Sequence, residues 1–164
     1  MKKIIILFIF IGIFSKWGDI SSYLGLSGSQ TKYAIGDYTS KSWYKGYNGY
    51  QEALQVSNKN EVPVFIYVYA DWCNYCKKFN NELLSNSRIS DSLSKFVKVK
   101  FNPEKSDQAK ELYAKWNGRG YPAILFQSGS SNKLQRVRAP YTKNGAGWKL
   151  MSPNDFISML EKNG

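Results

Sequence analysis

Two cysteines carry the chemistry that this sequence can offer. They are Cys73 and Cys76, and the chain of 164 residues contains no other cysteine and no histidine. A Cys-x-x-Cys pair can be half of a zinc site, a structural link or a redox centre. Tetrahedral zinc would need two further ligands, which neither cysteine nor histidine is left to provide, so no metal site and no cofactor are expected. The same composition excludes a Ser-His or Cys-His catalytic dyad within this chain.

A purely structural disulfide is the more serious alternative to a redox centre. It would close a very small loop and would therefore constrain the unfolded chain little. A redox role gives the position of the pair a physical reason. If a helix begins at Cys73, the unpaired N–H groups of its first turn favour the thiolate, which is the attacking species in disulfide exchange. Cys76, one turn further on and more buried, would stay a thiol until it resolves the mixed disulfide.

The segments around the cysteines predict how the pair is held. Pro63 precedes an uninterrupted apolar and β-branched run, 64–69, that is typical of a strand buried on both faces. Such a strand would deliver Cys73 to the carboxyl end of a sheet, where α/β proteins place their sites. An apolar stripe then predicts a helix from Cys73 to about Ser85.

The rest of the pattern predicts an α/β domain with a small mixed central sheet and helices on both faces. Ser152 is a suitable N-cap for the last helix, and Pro153 suits its first turn. The other expected elements are a helix over 49–60, a short helical piece over 89–96, strands over 96–101, 123–126 and 134–139, and a helix over 106–117.

The N-terminal residues are interpreted as an export signal. Lys2 and Lys3 precede an apolar run of 11 residues, 4–14, within the roughly 7–15 of a signal-peptide core and below the roughly 20 of a membrane-spanning helix. Residues 1–15 are assigned to a signal peptide or an uncleaved anchor, 16–47 to a Gly/Ser/Tyr-rich spacer or extension, and 48–164 to the folded domain. This organisation predicts a periplasmic or secreted protein, or one tethered to the membrane by its N-terminus.

The chain is strongly basic, with a net charge of +11 and still +9 without residues 1–15. This charge attracts anionic partners or membrane surfaces weakly and without specificity. No zinc, helix-turn-helix or aromatic RNA-binding motif accompanies it, so no specific nucleic acid is expected. The positive charge is concentrated between Glu111 and Asp155, where no acidic residue occurs. The basic residues there are Lys115, Arg119, Lys133, Arg136, Arg138, Lys143 and Lys149. The ordinary interpretation of this basic stretch is a solvated face.

Two segments resemble the thioredoxin superfamily. Residues 69–78, Tyr-Ala-Asp-Trp-Cys-Asn-Tyr-Cys-Lys-Lys, resemble its active-site segment, and residues 120–122, Gly-Tyr-Pro, resemble its cis-proline loop. The first segment is similar to that of the C-terminal domain of the membrane thiol:disulfide interchange protein DsbD and its stand-alone relatives. The resemblance covers roughly residues 49–162 and implies a thioredoxin-like fold.

The resemblance also implies roles for individual residues. Cys73 would be the nucleophile and Cys76 the resolving thiol. Pro122 would be the cis-proline whose loop, with Tyr121, lies against the disulfide and pairs with an extended substrate segment. Trp72 would flank the nucleophile as part of the docking surface, with an ordinary core aromatic as the alternative.

The sequence departs from the family pattern six residues before the nucleophile. Many thioredoxins carry a buried acid there that can accept the proton of the resolving thiol, whereas this chain carries Tyr67. Lys100, near the end of the next strand, is a possible charge partner, although a surface lysine is the simpler interpretation. Asp71 is expected to face solvent and not to act as the general base.

The two residues between the cysteines bear on the direction of electron flow. Asn74 and Tyr75 offer no positive charge that would make the disulfide a strong oxidant. The sequence therefore favours a reductase or exchange enzyme that acts on protein thiols and disulfides and draws electrons from a membrane or periplasmic thiol donor. The alternative class is a non-catalytic thioredoxin-like binding module that uses its basic face or its tyrosine-rich extension.

Overall fold

The computed structural model describes residues 42–128, 133–137 and 140–164. The expected signal peptide and residues 16–41 of the expected spacer lie outside the described residues. In chain order the elements are β1 (Trp43–Lys45), α1 (Gly46–Asn60), β2 (Val64–Val68), α2 (Asn74–Phe79), a π-helical turn (Asn80–Leu84), α3 (Ser87–Leu93), β3 (Val97–Phe101), a 3₁₀ turn (Pro103–Lys105), α4 (Asp107–Lys115), β4 (Ala123–Gln127), β5 (Leu134–Val137), β6 (Tyr141–Asn144), β7 (Gly147–Leu150) and α5 (Pro153–Asn163).

The central sheet has the strand order β1-β3-β2-β4-β5. β2 lies in its middle, parallel to β3 and antiparallel to β4, and β1 pairs with β3 in parallel. Every residue of β2 is buried, as the apolar run predicted. The strand therefore ends, and the active-site segment begins, at the centre of the sheet edge.

The sheet is covered on both faces. Because side chains alternate along a strand, Phe65 and Tyr67 of β2 face the layer formed by α2, α3 and α5, while Val64 and Ile66 face α1 and α4. The predicted α/β fold, with a small mixed sheet between helices, is confirmed. In the described ranges, no helix is long and apolar enough to cross a membrane.

The first strand lies within the segment that the composition assigned to the spacer. β1 adds Trp43–Lys45 to the edge of the sheet, and α1 begins directly after it at Gly46, whose φ of 68° turns the chain between them. The ring of Trp43 packs edge-on against Phe65 at 6.0 Å between centroids. A strand of three residues is too short to show a periodic pattern, and its pairing with the distant β3 holds it in place.

A two-stranded hairpin, separate from the central sheet, follows β5 in a segment where the sequence predicted no strand. β6 and β7 pair in antiparallel fashion, and Gly145, with φ of 58°, occupies the turn. The two turn residues are Gly145 and Ala146, and a glycine at the first of these positions is the local signal that could have revealed the hairpin. After the hairpin, the side chain of Ser152 accepts a hydrogen bond from the backbone N–H of Asp155 at 3.2 Å, which confirms the predicted cap of α5.

Candidate active site

The site begins with a disulfide between Cys73 and Cys76, whose Cα atoms are 5.2 Å apart. Cys73 is the N-cap of α2, and its sulfur accepts a hydrogen bond from the backbone N–H of Cys76 at 3.1 Å. Both cysteines are buried, with exposed fractions of 4% for Cys73 and 1% for Cys76. The Cys73 sulfur therefore caps the helix by accepting the N–H of Cys76, and the same N–H would stabilise a negative charge on this sulfur after reduction.

Tyr67, six residues before Cys73 in the sequence, lies beneath Cys76. Its hydroxyl donates a hydrogen bond to the carbonyl oxygen of Cys76 at 3.2 Å. The side-chain amide of Asn80 donates both to that carbonyl, at 3.1 Å, and to the Tyr67 hydroxyl, at 3.2 Å. Burial raises the pKa of Tyr67, so the phenol stays neutral and keeps its proton to donate. Neutral groups thus hold the backbone of Cys76.

Lys100 is connected to this network through Asn80. Its ammonium donates to the amide oxygen of Asn80 at 3.2 Å and lies 5.1 Å from the centre of the Trp43 ring. These residues line a cleft of about 460 Å³ behind the cysteine pair. Burial, and secondarily the charge of Lys45, lower the pKa of Lys100. The structure therefore places the candidate charge partner next to Asn80.

On the outer side of the disulfide, Trp72 lies on the surface with 65% of its area exposed. Its indole N–H donates to both carboxylate oxygens of Glu104, at 3.1 and 3.0 Å. Its ring packs edge-on against Tyr121, with the ring centres 5.8 Å apart. Trp72 is thus not a core aromatic but an exposed ring next to Cys73 in the chain, held by Glu104 of the 3₁₀ turn.

Asp71 faces solvent, as expected, and pairs with a neighbouring lysine. The ammonium of Lys105 lies 2.6 Å from its carboxylate, and both side chains are exposed. This hydrogen bond lowers the pKa of Asp71. Asp71 is therefore an ionised surface group tied to the 3₁₀ turn.

The loop before β4 contains a cis peptide bond between Tyr121 and Pro122. Tyr113 of α4 holds this loop in two ways. Its hydroxyl donates to the carbonyl of Gly120 at 2.9 Å, and its ring stacks on Tyr121 with 5.9 Å between centres. Trp72, Tyr121 and Tyr113 form a continuous row of rings from the disulfide to α4.

Arg136 also stabilises the loop. Its guanidinium donates to the backbone carbonyls of Asn117, at 3.5 Å, and of Arg119. It thus satisfies acceptors near the C-terminal end of α4. Within the basic stretch, Arg136 is therefore hydrogen-bonded to backbone carbonyls. Arg138, in the same stretch, lies outside the described residues.

Three further site residues escaped the sequence analysis. Asn80 follows Cys76 by four residues, one helical turn, so the spacing could have indicated it. Glu104 gives no local signal, because only the fold brings it to Trp72. Tyr141, in the unpredicted hairpin, donates its hydroxyl to the carbonyl of Tyr75 at 2.7 Å. Within the described part of the chain, no group of three or more acidic or cysteine side chains could hold a metal ion.

Comparisons with known proteins agree with this geometry. A family model described as thioredoxin-like matches residues 43–128. The thiol:disulfide interchange protein DsbD of Photorhabdus laumondii is 33% identical over 97 residues, which cover 58% of this chain and 17% of that protein. DsbD of Pasteurella multocida is 25% identical over 126 residues, which cover 76% of this chain and 20% of that protein. The chain therefore spans about a fifth of the length of these relatives.

Solved structures show the same fold at lower identity. The oxidised C-terminal domain of DsbD from Neisseria meningitidis has a TM-score of 0.59 and 15% identity, covering 75% of this chain and 100% of that one. A thioredoxin from Thermus thermophilus has a TM-score of 0.56 and 21% identity, and the match covers 73% of this chain and 84% of that one.

Proposed function

Since the chain belongs to the thioredoxin-like family, we propose that it is an exported protein thiol:disulfide oxidoreductase that acts mainly as a reductase or exchange enzyme. The observation that carries the proposal is the Cys73–Cys76 disulfide at the start of α2, beside the exposed ring of Trp72. A purely structural link would need neither the hydrogen bond from the Cys76 N–H to the Cys73 sulfur nor an exposed aromatic ring at its side.

The reaction starts from the reduced pair. The thiolate of Cys73 attacks one sulfur of a substrate disulfide, and the other substrate sulfur leaves as a thiolate that takes up a proton. Cys76 then loses its proton and attacks the Cys73 sulfur in the mixed disulfide. This step releases the second substrate thiol and forms the Cys73–Cys76 disulfide, so two electrons have passed to the substrate.

Residues of the chain assist these reaction steps through defined atoms. The N–H of Cys76 donates to the Cys73 sulfur and favours its negative charge. Trp72, Tyr121 and Pro122 provide the surface on which the substrate segment lies. Lys100 contributes a positive charge that is linked to the pair through its hydrogen bond to Asn80.

The direction of exchange is inferred from the charges near the sulfurs. Asn74 and Tyr75, between the cysteines, are neutral, and the neutral phenol of Tyr67 supports the backbone below them. Without a strong positive charge in contact with the thiolate, the reduced form gains little extra stability, and the pair remains a reductant. A membrane or periplasmic thiol donor would restore the reduced pair.

Export is supported by Lys2, Lys3 and the apolar run 4–14. The exposed lysines of the basic face give the domain a weak attraction to anionic membrane surfaces. Fractionation of bacteria expressing the full chain tests this part of the proposal, and retention of the protein in the cytosol would contradict it.

The trap that tests the enzyme function is a Cys76→Ser variant of the full chain. Without the resolving thiol, the mixed disulfide on Cys73 persists, so disulfide-linked substrate proteins should be recovered from cell extracts. The matched control is Cys73→Ser, which should retain none. Equal and negligible recovery from both variants, together with no reduction of glutathione disulfide by the wild-type chain, would favour the non-catalytic binding module instead.

A further inference from the structure

A groove of about 190 Å³ lies beside the disulfide and is lined by Tyr75, Tyr121, Pro122, Tyr141 and Trp148. It is smaller than the roughly 300–1,000 Å³ of typical small-molecule sites. Its size and its aromatic walls suit one large apolar side chain. Two of its residues, Tyr75 and Trp148, have 46% and 57% of their areas exposed. An exposed aromatic cluster of this kind marks an interaction surface.

The outer wall of the groove is the β6–β7 hairpin, and this wall is fixed against the active-site segment. A two-stranded hairpin is marginally stable alone. Here Tyr141 is buried, its hydroxyl donates to the carbonyl of Tyr75 at 2.7 Å, and the two rings pack edge-on at 5.0 Å. Leu150, the cross-strand partner of Tyr141, packs against the core. Tyr75, one of the two residues between the cysteines, therefore helps to position the hairpin.

The strand register divides the hairpin lysines between its faces. Lys143 pairs with Trp148, so both lie on the face that Tyr141 presents to the groove. Lys149 pairs with Thr142 and lies on the opposite face. Lys143 is exposed, and neither strand of the hairpin carries an acidic residue. The face toward the groove thus combines an apolar slot with a positive charge at its rim.

We propose that the hairpin selects the substrate of the exchange reaction. The groove takes a large apolar side chain from an extended segment around the substrate cysteine, and Lys143 pairs with a carboxylate on the same segment. This inference rests on the proposed function and adds the substrate class to it: segments in which the cysteine is accompanied by an aromatic or large aliphatic residue and an acid. The groove lies next to the disulfide in the chain's own geometry, because Tyr75, one of the two residues between the cysteines, lines it together with Pro122.

The test uses two synthetic peptides, each carrying one cysteine as its mixed disulfide with glutathione. One peptide has Phe and Glu beside the cysteine, and the other has Ser and Lys. The reduced full chain should reduce the Phe/Glu peptide with a kcat/KM about tenfold higher. Trp148→Ala should abolish most of this preference and leave the rate with glutathione disulfide unchanged, because glutathione has no large apolar side chain to fill the groove.

The charge component has a matched pair of variants. Lys143→Glu should lower kcat/KM for the Phe/Glu peptide about threefold at low ionic strength, and Lys149→Glu, on the opposite face, should leave it unchanged. Equal rates for the two peptides, or equal losses from both lysine variants, would overturn the inference. In either case reduction of glutathione disulfide would still support the enzyme function, whereas failure to reduce it would count against the proposed function itself.

Discussion

The hydroxyl of Tyr67 donates a hydrogen bond to the carbonyl oxygen of Cys76 at 3.2 Å. Tyr67 belongs to the central strand, so a residue buried in the middle of the sheet holds the backbone of Cys76. The same carbonyl receives a second hydrogen bond, from Asn80. Two neutral donors thus stabilise the first turn of α2 without placing a charge beneath the sulfur atoms.

Tyr67→Phe should lower the free energy of unfolding by about 1 kcal/mol, because it removes one buried hydrogen bond and retains the ring. Urea denaturation of the oxidised protein measures the change. The matched control is Tyr69→Phe, since the ring of Tyr69 stacks on Tyr67 but no hydrogen bond joins it to the Cys76 carbonyl. An equal loss in the two variants would contradict a specific role for the Tyr67 hydroxyl.

Lys100→Met should change how stability depends on pH. Burial lowers the pKa of Lys100 in the folded protein, so folding disfavours its charged form. The stability of the wild type should therefore rise relative to the variant as the pH increases from the folded pKa toward the unfolded value of about 10.4. Unfolding free energies of both proteins between about pH 8 and 10.5 measure this trend. Lys110→Met, at an exposed position of α4, is the control, and the same trend in that variant would refute the assignment.

The two thiols of the reduced protein should differ in their reactivity. Cys73 accepts the capping N–H, whereas Cys76 is more deeply buried. Iodoacetamide at neutral pH should therefore alkylate the wild type at Cys73, at least about tenfold faster than it alkylates Cys76 in a Cys73→Ser variant. Mass spectrometry of timed samples measures both rates. Two equally slow thiols would instead fit the binding module.

Gly118→Ala should disturb the loop that carries Pro122. A Cβ at Gly118 would approach the ring of Tyr113 to 2.5 Å, so this ring, which stacks on Tyr121, would have to shift. We expect a loss of about 1–3 kcal/mol in unfolding free energy, together with slower exchange. The control is Gly147→Ala, whose Cβ would meet only a backbone oxygen at 3.9 Å. Its unfolding free energy should change by less than about 0.5 kcal/mol, and a comparable loss in both variants would contradict the steric argument.

The sequence by itself determined the local features. The all-apolar run 64–69 marked the central strand because both of its faces are buried, and Ser152 with Pro153 marked the start of α5 because caps depend on neighbouring residues. The spacing of Cys73 and Cys76, together with the composition, limited the chemistry. Each of these signals is carried by residues close together in the chain, and for that reason each could be recognised from the sequence alone.

The tertiary structure decided what surrounds the cysteines. Trp43 joins the sheet through β3, Lys100 reaches Asn80 across 20 positions, and Trp72 meets Glu104 across 32. Tyr141 reaches Tyr75 across 66 positions. These contacts depend on strand order and on which helix covers which face, so no local pattern encodes them. The redox pair was therefore evident in the sequence. The neutral donors that bind the Cys76 carbonyl, and the aromatic residues beside the disulfide, follow from the packing of distant segments.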